Sequence, residues 1–224
     1  MSRSMVGALR QQSMATGSNV NSFAIVPAAG VSQRMGRQKL LLPWAGQRVI
    51  DVVLNAWQQS QVTRTIVIAY AEDHEIIDSC QSAGVDVVAI STRTKDMKAT
   101  IKIGLSHIEQ TEAPQPDDAW LVAPADLPNL SSPAIDHVLQ AFQAGPPTSI
   151  VPVHEGRHGH PALLTWSMVP IFNKLSSHEG LNALLRGDGV CQLECPEEIW
   201  PGADVNTPEE YQHLLAVERK RHDK

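Results

Sequence analysis

Residues 27–39 read PAAGVSQRMGRQK, a turn carrying two glycines (Gly30, Gly36), Ser32 and the cations Arg34, Arg37 and Lys39, with Arg48 close behind. The turn follows directly on the apolar run SFAIV. Glycines let backbone N–H groups approach an anion, and converging cationic side chains add charge, so the stretch has the makings of a polyphosphate site. The plain alternative is a solvated turn whose cations face water. A second residue of interest is Asp126, in LVAPADLP, placed just past an apolar run between Pro124 and Pro128. A carboxylate at the end of a buried strand can hold a hard cation, which prefers oxygen ligands. An aspartate in that setting can equally cap a turn.

Two familiar phosphate loops fail on spacing. A Walker A loop needs four residues between its glycines and then Lys-Ser/Thr. Here five residues separate Gly30 from Gly36, and Arg37 follows. The dinucleotide pattern G-x-G-x-x-G is absent. What the stretch keeps is a loop that binds through side-chain cations.

The elements that must position these residues alternate along the chain. SFAIVPA (22–28), TRTIVIAY (63–70), VDVVAI (85–90) and DAWLVAPADLP (118–128) read as strands. Between them, residues 48–60, 73–84 and 98–110 have apolar positions at helical spacing, and Gly84 stops the second helix. Ser132 and Pro133 open a further helix as N-cap and first helical residue. Residues 149–166 read as two strands joined at Glu155–Gly156, an antiparallel pair. A capping box from Thr207 to Glu210, with Pro208 as the first helical residue, starts the closing helix. The fold class expected is α/β: a three-layer, doubly wound, mostly parallel sheet with helices on both faces and an antiparallel addition in the second half. Residues 1–20 are expected to be a disordered tail, 21–219 one domain and 220–224 a charged tail. In such a sheet, ligands lie outside the carboxyl ends of the strands, where the glycine-rich turn falls.

Composition sets the outer limits. The 224 residues carry a net charge of -6, which argues against a general nucleic-acid binder, so any anion site must be local. No apolar run approaches a membrane span, and the polar N-terminal stretch has no secretory core. The three cysteines fit a reducing cytoplasm better than secretion. Cys191 and Cys195 could ligate a metal, but with no second pair they read better as small buried or rim residues.

PAAGVSQRMGRQKLLLPWAGQRVI resembles, without a gap, the signature of the MobA-like nucleotidyltransferases. The resemblance continues through APADLP, GHPAL and DVNTPEEY and covers residues 23–215. Ala29, in AAG, is similar to the cytidylyltransferase branch, which includes the molybdopterin cytidylyltransferases. The resemblance implies a nucleotide-diphospho-sugar transferase-like fold whose loop, through Ala28, Ala29, Gly30, Ser32 and Gly36, wraps the nucleotide. It implies Arg34 and Lys39 on the phosphates and Asp126 as a carboxylate ligand of Mg²⁺. GADVNTPEEY mixes two forms of the family's final motif, which makes both Asp204 and Asn206 candidates for the second metal ligand. Asn206 also directly precedes the cap residue Thr207, a structural role that competes with ligation.

Elsewhere the sequence departs from these relatives. DMKATIKIGL (96–105) stands where they carry a serine-rich turn near the base. Met97, Thr100, Ile101 and Gly104 fit, whereas Asp96 replaces a glycine and Lys98 and Ala99 replace serines. In SSHEGLNALL (176–185), which faces the second substrate in relatives, His178 stands for an acid and Asn182 for an arginine. His154, His158 and His160 share strand parity and could bind zinc. A polar hairpin at a cleft rim explains them more simply, and His160 then lines the acceptor pocket.

The activity implied is Mg²⁺-dependent transfer of a nucleotidyl group from an NTP, by resemblance CTP, to a phosphorylated small-molecule acceptor, with molybdopterin foremost. A sugar or polyol phosphate is the nearest enzymatic alternative. A non-catalytic nucleotide- or cofactor-binding partner of a molybdoenzyme is the alternative of a different class.

Overall fold

The computed structural model describes residues 20–30, 38–145, 147–187, 189–202 and 204–222. The expected N-terminal tail, up to residue 19, and the loop residues Ser32, Arg34 and Gly36 lie outside them.

Strand β1 (Ser22–Pro27) is buried on both faces. Successive side chains of a strand point to opposite sides, so Phe23 and Ile25 enter one apolar cluster and Ala24 and Val26 the other. The two-stranded hairpin β2 (Pro43–Trp44) and β3 (Gln47–Arg48) leads into helix α1 (Val49–Gln58). The chain continues through β4 (Arg64–Tyr70), α2 (His74–Ala83), β5 (Asp86–Ile90), α3 (Met97–Thr111), β6 (Ala119–Val122) and α4 (Ser132–Ala144). It closes with β7 (Ser149–His154), β8 (Arg157–His158), β9 (Ala162–Thr165), α5 (Val169–Lys174), β10 (Val190–Glu194) and α6 (Pro208–His222).

The main sheet runs in the order β10-β7-β9-β6-β1-β4-β5, with β8 paired to β7. Strands β5, β4, β1 and β6 are mutually parallel. Strand β9 runs against both β6 and β7 and supplies the antiparallel addition. One face packs residues of α1, α2, α4 and α6, such as Trp57, Ile76, Phe142 and Tyr211; the other packs Ile101, Leu105 and Ile108 of α3 with Phe172 of α5. The three-layer α/β architecture is therefore as expected. Because β4 lies on one side of β1 and β6 on the other, the strand order reverses there and opens a crevice at the carboxyl ends of β1 and β6.

Several boundaries differ from expectation. The N-cap of α4 is Ser131, one residue earlier than read from sequence; its hydroxyl accepts from the Ala134 amide at 3.4 Å, and Ser132 is already helical. Strand β6 ends at Val122, and the expected continuation to residue 128 leaves the sheet, as Pro124 and Pro128 lack the N–H a ladder requires. The hairpin at Glu155–Gly156 is present, with both residues at positive φ, but it joins β7 to the two-residue β8, and the longer antiparallel partner is β9. Strand β10, parallel to β7, has no clean apolar alternation and was not anticipated. Helix α6 runs on through His222, into the stretch expected as a tail. No helix among the described residues is long and apolar enough to cross a membrane.

Candidate active site

Three segments far apart in sequence meet at the crevice. The chain leaves β1 through Ala28, whose amide donates to the Ile68 carbonyl at 2.9 Å. It returns at Gln38 and makes one 3-10 turn, Lys39–Leu41, anchored by the buried Leu40. The Lys39 ammonium pairs with the Asp126 carboxylate beyond β6. It also donates to the Val205 carbonyl at 2.9 Å and to Asn206 Oδ1 at 3.4 Å, near the chain end. A backbone bond from the Val205 amide to the Asp126 carbonyl, at 2.9 Å, holds those two segments side by side. Asn206 Nδ2 donates to Asp204 Oδ2 at 2.8 Å. The predicted capping box is formed, Glu210 accepting from the Asn206 and Thr207 amides at 2.9 and 3.0 Å.

Asp126 is 7% exposed, and its Oδ1 is buried without a hydrogen-bond partner. Burial pushes its pKa up; the Lys39 ammonium opposes this, and the charge of Asp204 adds to it. A desolvated carboxylate oxygen beside a second acid is costly to the fold and suited to a cation. Oxygen donors are available from Asp126, Asp204 and Asn206, which fits Mg²⁺ or a similar hard ion. No three His, Cys, Asp or Glu side chains converge among the described residues. Such an ion would therefore be held by one or two carboxylates together with substrate phosphates and water, the usual mode for Mg²⁺.

A cleft of about 520 Å³, the size of a small-molecule site, opens over this constellation. Ala28, Gly30, Lys39, Asp126, Asp204 and Asn206 form one side, and the start of α3 the other, with Met97 and Thr100. Asp96 caps α3 by accepting from the Ala99 amide at 2.7 Å. The Thr100 hydroxyl lies 2.5 Å from that of Thr94.

Other expected residues lie apart from this wall. Ala29 is buried, its carbonyl accepting from Arg93 at 3.0 Å. His160 is not part of the cleft lining; its Nδ1 is 3.4 Å from the Val122 carbonyl, and desolvation pushes its pKa down against the pull of Asp204 and Asp126. His178 and Asn182 are exposed on the segment between α5 and β10. Lys98 ties that segment to α3 by donating to the Ser176 carbonyl and, at 2.7 Å, to that of Glu179. His154 Nδ1 is engaged by the Cys195 carbonyl at 2.9 Å. Sequence reasoning passed over Gln38, Thr94 and Lys95, which also line the cleft, and Arg93 behind it. The polar run STRTKD after β5 was the available signal, since loops at the carboxyl ends of parallel strands carry the ligands.

Residues 24–194 match the model of the MobA-like NTP transferase domain. The chain belongs to this family. As a MobA-like protein it is a nucleotidyltransferase, with the nucleotide-diphospho-sugar transferase fold. It is 25% identical to the molybdenum cofactor cytidylyltransferase of Escherichia coli K12 over 199 residues, covering 87% of this chain and 95% of that one. It is 26% identical to a Bacillus cytotoxicus protein named "Probable molybdenum cofactor guanylyltransferase" over 204 residues, 88% of this chain and 97% of that one. The 2-C-methyl-D-erythritol 4-phosphate cytidylyltransferase of Pseudomonas aeruginosa PAO1 is 29% identical over 126 residues, about half of each chain (55% and 53%). Among solved structures, Rv0371c of Mycobacterium tuberculosis H37Rv in complex with manganese superposes with a TM-score of 0.69 at 20% identity, covering 88% of this chain and 99% of that one.

Proposed function

We propose that this MobA-like nucleotidyltransferase transfers CMP from CTP to the terminal phosphate of molybdopterin, with Mg²⁺, and releases pyrophosphate. The convergence of Lys39, Asp126, Asp204 and Asn206 on one cleft at the β1/β6 reversal carries this reading. Ala29 in the loop supports CTP; the cytidylyl- and guanylyltransferase relatives are alike in identity and coverage and do not separate CTP from GTP.

The acceptor's phosphate oxygen forms the new bond to the α-phosphorus as the bond from that phosphorus to the bridging oxygen breaks, and pyrophosphate leaves with the electron pair. The attacking oxygen is already anionic, so the chain need supply neither a nucleophile nor a strong base, and catalysis is positioning and charge stabilisation. Lys39 and Arg34 are assigned to the triphosphate, where they offset charge growing on the pyrophosphate. Ala28 and Gly30, and on sequence grounds Ser32 and Gly36, surround the nucleotide, and Thr100 faces it from α3. Asp126 and Asp204 would hold Mg²⁺, and Asn206, engaged on one side by Lys39 and on the other by Asp204, positions both. When bound, the ion would screen the phosphate oxygens and align them for in-line attack. Lys39 is then shared between carboxylate and phosphate. His160, His178 and Asn182 are assigned to the acceptor side.

One observation favours a second acceptor class. The segment bearing His178 and Asn182 is exposed, departs from molybdopterin-handling relatives and is tied back by Lys98, while a polyol-phosphate cytidylyltransferase is 29% identical over half the chain. A panel of CTP and GTP against molybdopterin, 2-C-methyl-D-erythritol 4-phosphate and sugar phosphates, with products identified by mass, separates the readings. Molybdopterin cytosine dinucleotide as the sole product supports the proposal, and a CDP-polyol replaces it with the second.

A further inference from the structure

Arg93 lies in the loop after β5 and does not line the cleft, yet its guanidinium spans the carboxyl ends of three neighbouring strands. One nitrogen donates to the carbonyls of Ala29 at 3.0 Å and Gly30 at 3.4 Å, beyond β1. The other meets both carboxylate oxygens of Asp73, beyond β4, at 3.0 and 3.2 Å. The guanidinium carbon lies 4.1 Å from the centre of the Tyr70 ring, which fixes its plane. Asp73 accepts in turn from Gln38 Nε2 at 3.3 Å, and Gln38 directly precedes Lys39. The Arg93 and Asp73 side chains are only 28% and 16% exposed, so water screens the pair weakly. One ion pair thus ties Ala29–Gly30, beyond β1, to Gln38, beside Lys39.

We propose that Arg93 and Asp73 are positioning residues that set the distance between Ala29–Gly30 and Gln38–Lys39, and so the separation of two described stretches of the cleft wall. The proposal rests on the cleft being a nucleotide site. Arginine suits the task because its planar fork serves the carboxylate and the two carbonyls at once; a lysine point charge cannot do both. Without the pair Lys39 keeps Asp126, but the opposite foot of the loop loses its tether. Binding must then restore an arrangement that the fold otherwise supplies, and this weakens nucleotide affinity more than turnover.

The test compares the full chain with Arg93→Ala, Arg93→Lys, Asp73→Asn and the double variant Arg93→Ala/Asp73→Asn. Pyrophosphate release with Mg²⁺, CTP and a saturating acceptor from the panel above gives kcat and KM, and hydrogen exchange is followed at the amides of Leu41 and Leu42. The expected result is a KM for CTP raised about tenfold in each single variant, kcat within about twofold, and a double variant no worse than either single. Arg93→Lys should not rescue, and exchange at Leu41 and Leu42 should quicken. If Arg93→Ala fails to fold, Gln38→Ala cuts one tether and leaves the ion pair whole; it too should raise KM with Tm unchanged. Wild-type KM in the variants, or effects that simply multiply in the double variant, would overturn the proposal. Should the wild-type chain release no pyrophosphate from any nucleotide, the nucleotide reading fails by itself, and unchanged exchange at Leu41 and Leu42 would dispose of the tether separately.

Discussion

Asp126 is an expensive residue for the fold: its carboxylate is buried, one oxygen lacks a partner, and Asp204 adds like charge. Groups arranged against stability in this way mark functional sites. Asp126→Asn should therefore abolish pyrophosphate release, by about a thousandfold or more, without lowering the Tm at pH 7. Millimolar Mg²⁺ or Mn²⁺ should raise the Tm of the wild-type chain but not of Asp126→Asn, since a ligand that binds only the folded state stabilises it. Lys39→Ala should lower kcat/KM by about a hundredfold or more. His160 has a lowered pKa through desolvation. Its protonation is therefore favoured in the unfolded chain. The stability it supports is fully present above the ordinary histidine pKa and lost as pH falls through that value toward the folded one. Urea midpoints at pH 8 and pH 5.5 should differ less in His160→Gln than in the wild-type chain.

Helix α3 lies close on the sheet because Gly104 has no side chain. A β-carbon there would come within 2.8 Å of Ile25 Cγ2 and 3.0 Å of Ile68 Cδ1, both in the core. Gly104→Ala gains about 1 kcal/mol of helix propensity but overpacks by about 1–3 kcal/mol, so a net loss of stability should show in thermal melts. The same displacement should raise KM for the nucleotide, since Thr100 lines the cleft from this helix. At this scale the sequence was readable where a single face or a strong cap decided the outcome, whereas the α4 cap falls one residue before the Ser132 it indicated. The β1 run, the helix periods of α1 to α3, Gly84 and the Thr207–Glu210 box all appear where the pattern placed them. The edge strand β10 escaped, because pairing with β7 rather than its own pattern makes it a strand, and the single strand read after Glu155–Gly156 divides into β8 and β9. Lys39, Asp126 and Asn206 were legible as separate motifs, but their meeting is a product of topology. Arg93 and Asp73 were not legible, since a salt bridge between two loops leaves no periodic signature.

At the scale of the molecule, a chain of net charge -6 gathers Lys39, Asp126, Asp204 and Asn206 into one cleft at the β1/β6 reversal of its strand order. Distant charge repels the nucleotide, so affinity must come from groups in contact with it. The fold is shared by enzymes that differ in acceptor, so it does not by itself name the acceptor. The chemistry common to them can be followed directly by supplying CTP labelled at the α-phosphorus, with Mg²⁺ and the panel of molybdopterin, 2-C-methyl-D-erythritol 4-phosphate and sugar phosphates, to wild-type, Lys39→Ala and Asp126→Asn chains. The expected result is label on the acceptor and unlabelled pyrophosphate released in equal amount, both lost in the two variants. Label left entirely in CTP by the wild-type chain, or transfer that survives Asp126→Asn, would contradict nucleotidyl transfer at this cleft.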